Sequence, residues 1–233
     1  MKFEITSDIF EKLPNMYIGV VIADNIDNHQ EYPEVAKLLD ENMTQAKAQF
    51  QDVNVKQDPQ IIPYREAFRK IGINPNRYPC SVEALFKRLS KGKDLPHINP
   101  LVDLNNAISM KYTVPMGTHT LDEAQADIQM RLAEPGDSFE ALGSDKIEAP
   151  EEGEVVYAVG HEVRTRRWTW RQSKFGMITP DTKTVFFPID GFSDFNQEQV
   201  DQAAQELEEK LQNIFHCQTK RGTVDQDHPV FEW

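Results

Sequence analysis

Val155-Val156-Tyr157-Ala158-Val159, with Val163 to Trp170 close behind it, is the stretch that sets the fold class. Short runs of β-branched and aromatic residues read as strands. The same texture extends outward. Ile128-Gln129-Met130-Arg131-Leu132 precedes it and Val185-Phe186-Phe187 follows, with turns such as Pro135-Gly136-Asp137 and Glu152-Gly153 between the runs. Further out the period changes. Asn196 to Phe215 puts Val200, Ala203, Leu207, Leu211 and Ile214 on one helical face and leaves Glu206, Glu208, Glu209 and Lys210 off it. Upstream, a helix runs from Pro33 to about Phe50, a short one spans Pro63–Ile71, and another follows Ser81 as its N-cap and closes at Gly92. Pro100 opens one more. Phe3–Ile5 and Ile18–Ile22 read as strands, and Gly222 to Trp233 as a tail without periodicity. The sum is an α+β chain, its helices mostly N-terminal and at the C-terminus, with a mixed sheet between them.

Length and composition bound what the chain can be. At 233 residues, 39% of them apolar, it holds enough for a proper core in one large domain or two packed halves. No apolar run approaches bilayer length, and no leader-like segment follows Met1, so the expected location is cytoplasmic, with no membrane partner. Cys80 and Cys217 form no CxxC pair and read as buried free thiols. The six histidines are scattered singly, there is no HExxH, and no phosphate-binding glycine motif is present, so neither a metal nor a nucleotide cofactor is expected. A net charge of -13 argues against a non-specific grip on a phosphate backbone, which needs a broad basic face. The charge is uneven, however. Eleven acids lie between Asp122 and Glu154, whereas Arg164, Arg166, Arg167, Arg171 and Lys174 follow with no acid among them. These arginines either offer a local anion site or pair with the nearby acids.

Three clusters between Tyr64 and Arg171 carry polar groups suited to chemistry. In Asn99 to Asn106, Asp103, Asn105 and Asn106 interrupt an apolar stretch; a helix there would bring Val102, Asn105, Asn106 and Ser109 to one side. In Pro115-Met116-Gly117-Thr118-His119-Thr120, a small turn precedes a threonine and a histidine that either line a pocket mouth or face solvent, and Gly117 would let a ligand approach the backbone. In Arg164 to Arg171, a strand would turn Arg164, Arg166, Trp168 and Trp170 one way and Thr165, Arg167, Thr169 and Arg171 the other. Interleaved arginine and tryptophan can hold phosphates while stacking on bases, or can form a core pair with a charged rim.

In their order along the chain, these clusters resemble the editing domain of the bacterial phenylalanyl-tRNA synthetase beta subunit. The resemblance rests on Pro100 to Ile108, Val114-Pro115-Met116-Gly117, Asp122, Met130-Arg131-Leu132-Ala133 with Gly136-Asp137, and Thr179 to Phe187. Tyr64-Arg65, Gly72, Pro75, Pro79, Ser81 to Leu85, Arg88 and Arg167 to Arg171 resemble the free-standing branch of that family. The match spans about residues 60–190, with the segment 1–59 and the helix at 196–216 packed on it as one domain, 1–233.

What the resemblance implies is a three-layer α+β sandwich with a central cavity that hydrolyses a mischarged aminoacyl ester at the tRNA 3′ end. The chain would act as a trans-editing deacylase without ligase activity. The family's threonine–asparagine pair falls on Asn105 and Asn106. Its pocket histidine falls on Gly117, with His119 two residues on, and its tyrosine-reading acid falls near Pro188. Expected catalytic residues are Asn105, Asn106, Thr118 and His119, the last as a proton acceptor. Expected substrate contacts are Arg65, Asp103, Gly117, Arg164, Trp168, Trp170 and Arg171. The expected partner is the aminoacylated tRNA. The alternative is a non-catalytic module that binds tRNA or an amino acid. The sequence leaves the oligomeric state and the amino acid open.

Overall fold

The computed structural model describes all residues, Met1–Trp233, with helices and mixed sheets in an α+β fold. The larger sheet contains six strands. Its centre is β4 (Ile128–Leu132) beside β7 (Val155–Val159), which pairs in turn with β8 (Glu162–Arg166) and the short β9 (Arg171–Gln172). On the other side of β4 lie β1 (Lys2–Ile5), parallel to it, and β12 (Val230–Glu232), antiparallel to β1. The smaller sheet runs β11 (Gln218–Val224), β2 (Met16–Asp24), β10 (Val185–Phe192), β3 (His119–Thr120). A two-stranded hairpin, β5 (Phe139–Glu140) with β6 (Ile147–Glu148), sits beside β8.

The two main sheets face each other. Phe3 stacks on Tyr157 at 5.8 Å and meets Phe186 at a tilt, with centroids 5.1 Å apart, so side chains of β1, β7 and β10 meet in one apolar interior. Alternation along β10 explains how one strand serves two layers. Phe186 and Phe192 point into this interior, whereas Val185, Phe187 and Ile189 point the other way, into a second core. Helices α5 (Pro100–Tyr112) and α6 (Gln197–Ile214) cover that second face through Leu101, Leu104, Ile108, Val200, Ala203, Leu207 and Leu211. Helices α2 (Pro33–Gln49), α3 (Ile62–Lys70) and α4 (Ser81–Leu89) close one side of the sandwich, and a short α1 (Ser7–Lys12) bridges β1 to β2. Helix on sheet on sheet is the layering.

Two glycines let α6 approach closely. Val200 seats over Gly19 of β2 and Gly191 of β10. A Cβ on Gly19 would come within 2.8 Å of Val200 Cγ1, and one on Gly191 would overlap Val200 Cγ2 and lie 2.9 Å from Asn196 Oδ1. Overpacking of this kind costs about 1–3 kcal/mol. Gly191→Ala should therefore lower the urea midpoint with an unchanged m-value; an unaltered midpoint would show that the helix can shift without cost.

Three sequence expectations are corrected here. Gly222 to Trp233 is not an irregular tail: β11 and β12 gain their stability by pairing along β2 and β1, a long-range effect that leaves no period in the local sequence. Ser81 is not the N-cap of α4. Cys80 holds that place, and Ser81 is the first helical residue. The strand from Val163 to Trp170 ends at Arg166, because Arg167 and Trp168 both adopt left-handed backbone conformations, φ 48° and 60°.

Candidate active site

A cavity of about 70 Å³ opens between the two sheets. β10 contributes Pro188 and Asp190, β3 contributes His119, β7 contributes Tyr157, and Thr165 of β8 lies opposite. Gly117, Ser81 at the start of α4, the turn Trp168-Thr169-Trp170, and Arg171 and Gln172 complete the wall and mouth. The left-handed pair at Arg167 and Trp168 shapes this wall. Such a conformation costs a non-glycine residue about 1–2 kcal/mol, and it persists where the surroundings over-determine it. Here Arg167 N donates to Glu154 Oε1 at 3.0 Å and Trp168 N donates to the Val155 carbonyl at 2.7 Å. The result is that the Trp168 indole turns inward, fully buried.

Asp190 is the floor of the cavity. Its Oδ1 accepts from the Tyr157 hydroxyl at 2.7 Å and from Trp168 Nε1 at 2.6 Å. Its backbone carbonyl accepts from the Tyr64 hydroxyl at 2.9 Å, and Tyr64 in turn accepts from Asn196 Nδ2 at 2.7 Å. The strand geometry and four aromatic or amide side chains thus fix the carboxyl. Burial raises its pKa to about 7, against the pull of the two donors. The other oxygen, Oδ2, makes no hydrogen bond to protein. A carboxyl that titrates near neutrality inside a cavity is a functional signature.

Three residues of the cavity wall each carry a buried polar atom without a protein partner: Ser81 Oγ, His119 Nδ1 and Thr169 Oγ1. Buried polar groups are ordinarily paired, so three such residues around one small space favour a ligand there.

Of the residues expected from sequence, Gly117, His119, Trp168, Trp170 and Arg171 come together here. Gly117 leaves room at the rim: a Cβ there would lie 3.1 Å from His119 Nε2 and 3.2 Å from Pro188 Cγ. The role given to His119 is corrected. Burial, reinforced by the positive charge of Arg164, lowers its pKa to about 3. The imidazole is therefore neutral, a hydrogen-bonding group and not a proton acceptor. Thr118 does not line the cavity; its carbonyl accepts from Gln172 Nε2.

The remaining candidates lie elsewhere. Asn105 and Asn106 belong to α5, which packs on the opposite face of the smaller sheet; Asn105 is buried there with Oδ1 unpartnered, and Asn106 is half-buried. Asp103 ties the start of α5, accepting from Ile98 N at 2.9 Å and meeting His97 Nδ1 at 2.9 Å. Arg65 is buried beneath α4, where it pairs with Glu83 at 2.6 Å and donates to the Pro75 carbonyl and Asn76 Oδ1. Arg164 lines a separate groove with Lys174 and pairs with Glu162 at 2.9 Å. The arginine run is largely neutralised: Glu148 and Glu154 hold Arg166, and Glu151 and Glu154 hold Arg167. Arg171 alone of that run is left without an ion pair. One carboxylate–imidazole cluster, Glu134, Asp137 and His161, has metal-like proximity, but Arg131 occupies both oxygens of Asp137 at 2.7 and 2.8 Å.

Sequence reading missed Ser81, Tyr157, Thr165, Thr169, Gln172 and, above all, Asp190. A signal for Asp190 existed. It is the one charged residue in Val185-Phe186-Phe187-Pro188-Ile189-Asp190-Gly191-Phe192, and acids are almost never fully buried unless paired. Pro188 hid it, because proline argues against a central strand. The strand tolerates Pro188 because that residue's backbone faces the Gly117 loop, whose N–H donates to the Pro188 carbonyl at 3.0 Å, and not the ladder to β2.

The sequence model of the B3/4 domain matches residues 63–226. The chain belongs to the B3/4 domain family. The matched segment runs past Asp190 to include α6 and β11, so it takes in strands of both sheets together with the helices that cover them. A comparison with curated protein sequences finds no match. Among solved structures, the B3/4 chain is similar to an N-terminal fragment of the phenylalanyl-tRNA synthetase beta subunit from Pyrococcus horikoshii, at a TM-score of 0.53 and 10% identity. That superposition covers 96% of this chain and 54% of the other, so the chain spans about half the length of that fragment. At such low identity the likeness is one of fold. No helix of the B3/4 chain is long and apolar enough to cross a membrane.

Proposed function

We propose that this B3/4 protein is an aminoacyl-tRNA deacylase, hydrolysing a mischarged aminoacyl ester at a tRNA 3′ end. The observation that carries this reading is Asp190: a buried carboxyl whose pKa burial raises to about 7, with Oδ2 unpartnered, in a cavity whose wall includes three residues with an unpartnered polar atom. The fold likeness to a synthetase fragment supports the substrate class.

The chemistry follows from the groups present. Asp190 Oδ2 accepts a proton from a water as its oxygen adds to the ester carbonyl. The Ser81 and Thr169 hydroxyls and the neutral His119 imidazole donate toward the oxygen that gains charge. The proton then passes to the departing ribose oxygen, giving free amino acid and intact RNA. A base with a pKa of about 7 is well matched to this task, since it is basic enough to take the proton and is about half ionised near neutral pH. A cavity of about 70 Å³ admits a small aminoacyl group and leaves the nucleotide outside.

The experiment is a panel of mischarged tRNAs with release of amino acid as the readout. Hydrolysis above the uncatalysed rate is expected for at least one of them, with kcat/KM rising with pH and levelling above about 7 as Asp190 ionises. Absence of release from every member sinks the reading. A flat pH profile would remove Asp190 as the base.

A further inference from the structure

The groove that Arg164 lines, about 510 Å³ in volume, lies on the far side of the cavity wall and shares no residue with the cavity. β3 and β8 each give one residue to the cavity, His119 and Thr165, and its chain neighbour to the groove, Thr120 and Arg164. A β-bulge explains the placement of Arg164. Thr165 stands opposite Tyr157 and Val163 opposite Ala158, so Arg164 is the extra residue and has no cross-strand partner. Bulges re-aim side chains in this way.

The guanidinium so placed is poorly satisfied. Arg164 is 5% exposed, yet its one ion pair is from Nη2 to Glu162 at 2.9 Å, and the Glu162 side chain is half exposed. Its Nε is buried without a partner, and Nη1 makes no hydrogen bond. Burial holds its pKa below the ordinary value, against the pull of Glu162. Buried charges are ordinarily paired and fully hydrogen-bonded. Gly176 seats the group: its φ is 74°, its carbonyl accepts from Thr120 N at 3.0 Å, and a Cβ there would overlap Arg164 Nη1. The other charges of the groove are mostly engaged. Lys174 pairs with Glu140 and Asp145, Asp122 accepts from Lys183 N and Thr184 N, and Asp181 meets His29. Glu123 is exposed and meets no cation. Phe175, half-buried, and Met177, exposed, add apolar surface on either side of Gly176.

We propose that this groove binds a free α-amino acid with an apolar side chain, its carboxylate on Arg164, its ammonium group toward Glu123 and its side chain against Phe175 and Met177. The choice of ligand rests on the charge pattern and not on the deacylase reading. Four carboxylates, those of Asp122, Glu123, Glu162 and Asp181, line the groove beside two cations, Arg164 and Lys174. That balance repels a simple anion such as phosphate, and Arg164 repels a metal cation. A zwitterion meets both signs at once, and a carboxylate is the planar acceptor that a guanidinium holds best.

The test is one of binding, so hydrolysis plays no part in it. L-Methionine and L-leucine are titrated into the full chain with backbone amide chemical shifts as the readout. Acetate and methylammonium, which each carry one half of the charge pair, are titrated beside them. Both amino acids should bind, with shifts concentrated at Thr120, Gly176 and Met177, and each half-ligand should bind about 10-fold more weakly or worse. Glu123→Gln, at an exposed side chain, should weaken the amino acids by about 2- to 5-fold and leave acetate unchanged. Arg164→Gln should weaken amino acids and acetate alike by about 10- to 100-fold. Should that buried substitution prevent folding, the Glu123 variant and the half-ligands decide the matter. No shift with either amino acid, shifts confined to Gly117, Thr169 and Trp170 of the cavity, acetate binding as tightly as the amino acids, or an unaltered affinity in Glu123→Gln overturns the proposal.

Discussion

Asp190→Asn should cut ester hydrolysis by about 10²- to 10⁴-fold and, above pH 7, make the protein more stable. The two effects share one cause. The carboxylate is buried, so its charge opposes folding. Its pKa is about 7 in the folded protein against an ordinary 3.8, so the native state holds a proton that the unfolded chain has released across that interval. Stability contributed by this group is therefore intact below about pH 4, falls as pH rises to 7, and is then constant. A shift of this size corresponds to roughly 4 kcal/mol at most. Asparagine removes the charge but keeps an oxygen to accept from Tyr157 and Trp168, so most of that penalty should be recovered at pH 8 and almost none at pH 4.

His119 complicates the pH profile in an instructive way. Its folded pKa, about 3 against an ordinary 6.5, gives the opposite slope: stability rises with pH between those values, because only the unfolded chain takes up the proton. In the parent protein the two slopes oppose each other between about pH 4 and 6.5. In Asp190→Asn only the histidine slope survives. The variant should therefore gain on the parent steadily from pH 4 to 7, a divergence that urea melts at a series of pH values would display. On the catalytic side, loss of a general base lowers kcat by about 10²- to 10⁴-fold. A variant that lost activity without gaining stability would indicate that Asp190 is ionised at little cost, and that its burial is relieved by something other than protonation.

What the sequence disclosed, and what it concealed, divides along physical lines. Elements with their own period were legible. The stripe through Val200, Leu207 and Leu211 and the run Ile18–Ile22 announce a helix and a buried strand from local pattern alone, and the strand extends to Met16–Asp24. Elements that exist because another segment pairs with them were not. β11 and β12 have no apolar alternation to display and are held by β2 and β1. The same division governs the site. Gly117, His119, Trp168, Trp170 and Arg171 were found because they cluster in sequence. Asp190, Ser81 and Tyr157 come from separate elements and converge only through the stacking of two sheets. Asn105 and Asn106 were misplaced because helical spacing tells which residues share a side, and not which layer that side faces.

Arg65 marks the sharpest difference between sequence and structure, and its substitution should show it. Expected from sequence to touch substrate, it is instead 5% exposed and paired with Glu83, which is wholly buried. Arg65→Ala would leave the Glu83 carboxylate with Lys87 as its remaining cation, at 2.5 Å from Oε1, and would strip two hydrogen bonds from the Pro75-Asn76 loop. Breaking a buried pair from one side costs about 3–5 kcal/mol, because the abandoned charge stays desolvated. The retained lysine places the expectation near the lower end, about 3 kcal/mol by urea denaturation. Removing both partners distinguishes this account from a substrate contact. Arg65→Met with Glu83→Leu takes away the stranded charge and should recover most of the stability, since apolar replacement of a buried pair is often neutral. The double variant would still lack the Arg65 tie to Asn76, whose Oδ1 would keep only the bond from Lys56, while the cavity keeps its geometry. Were Arg65 a substrate contact, the single variant would instead melt like the parent and raise KM alone, and restoring the core would restore nothing.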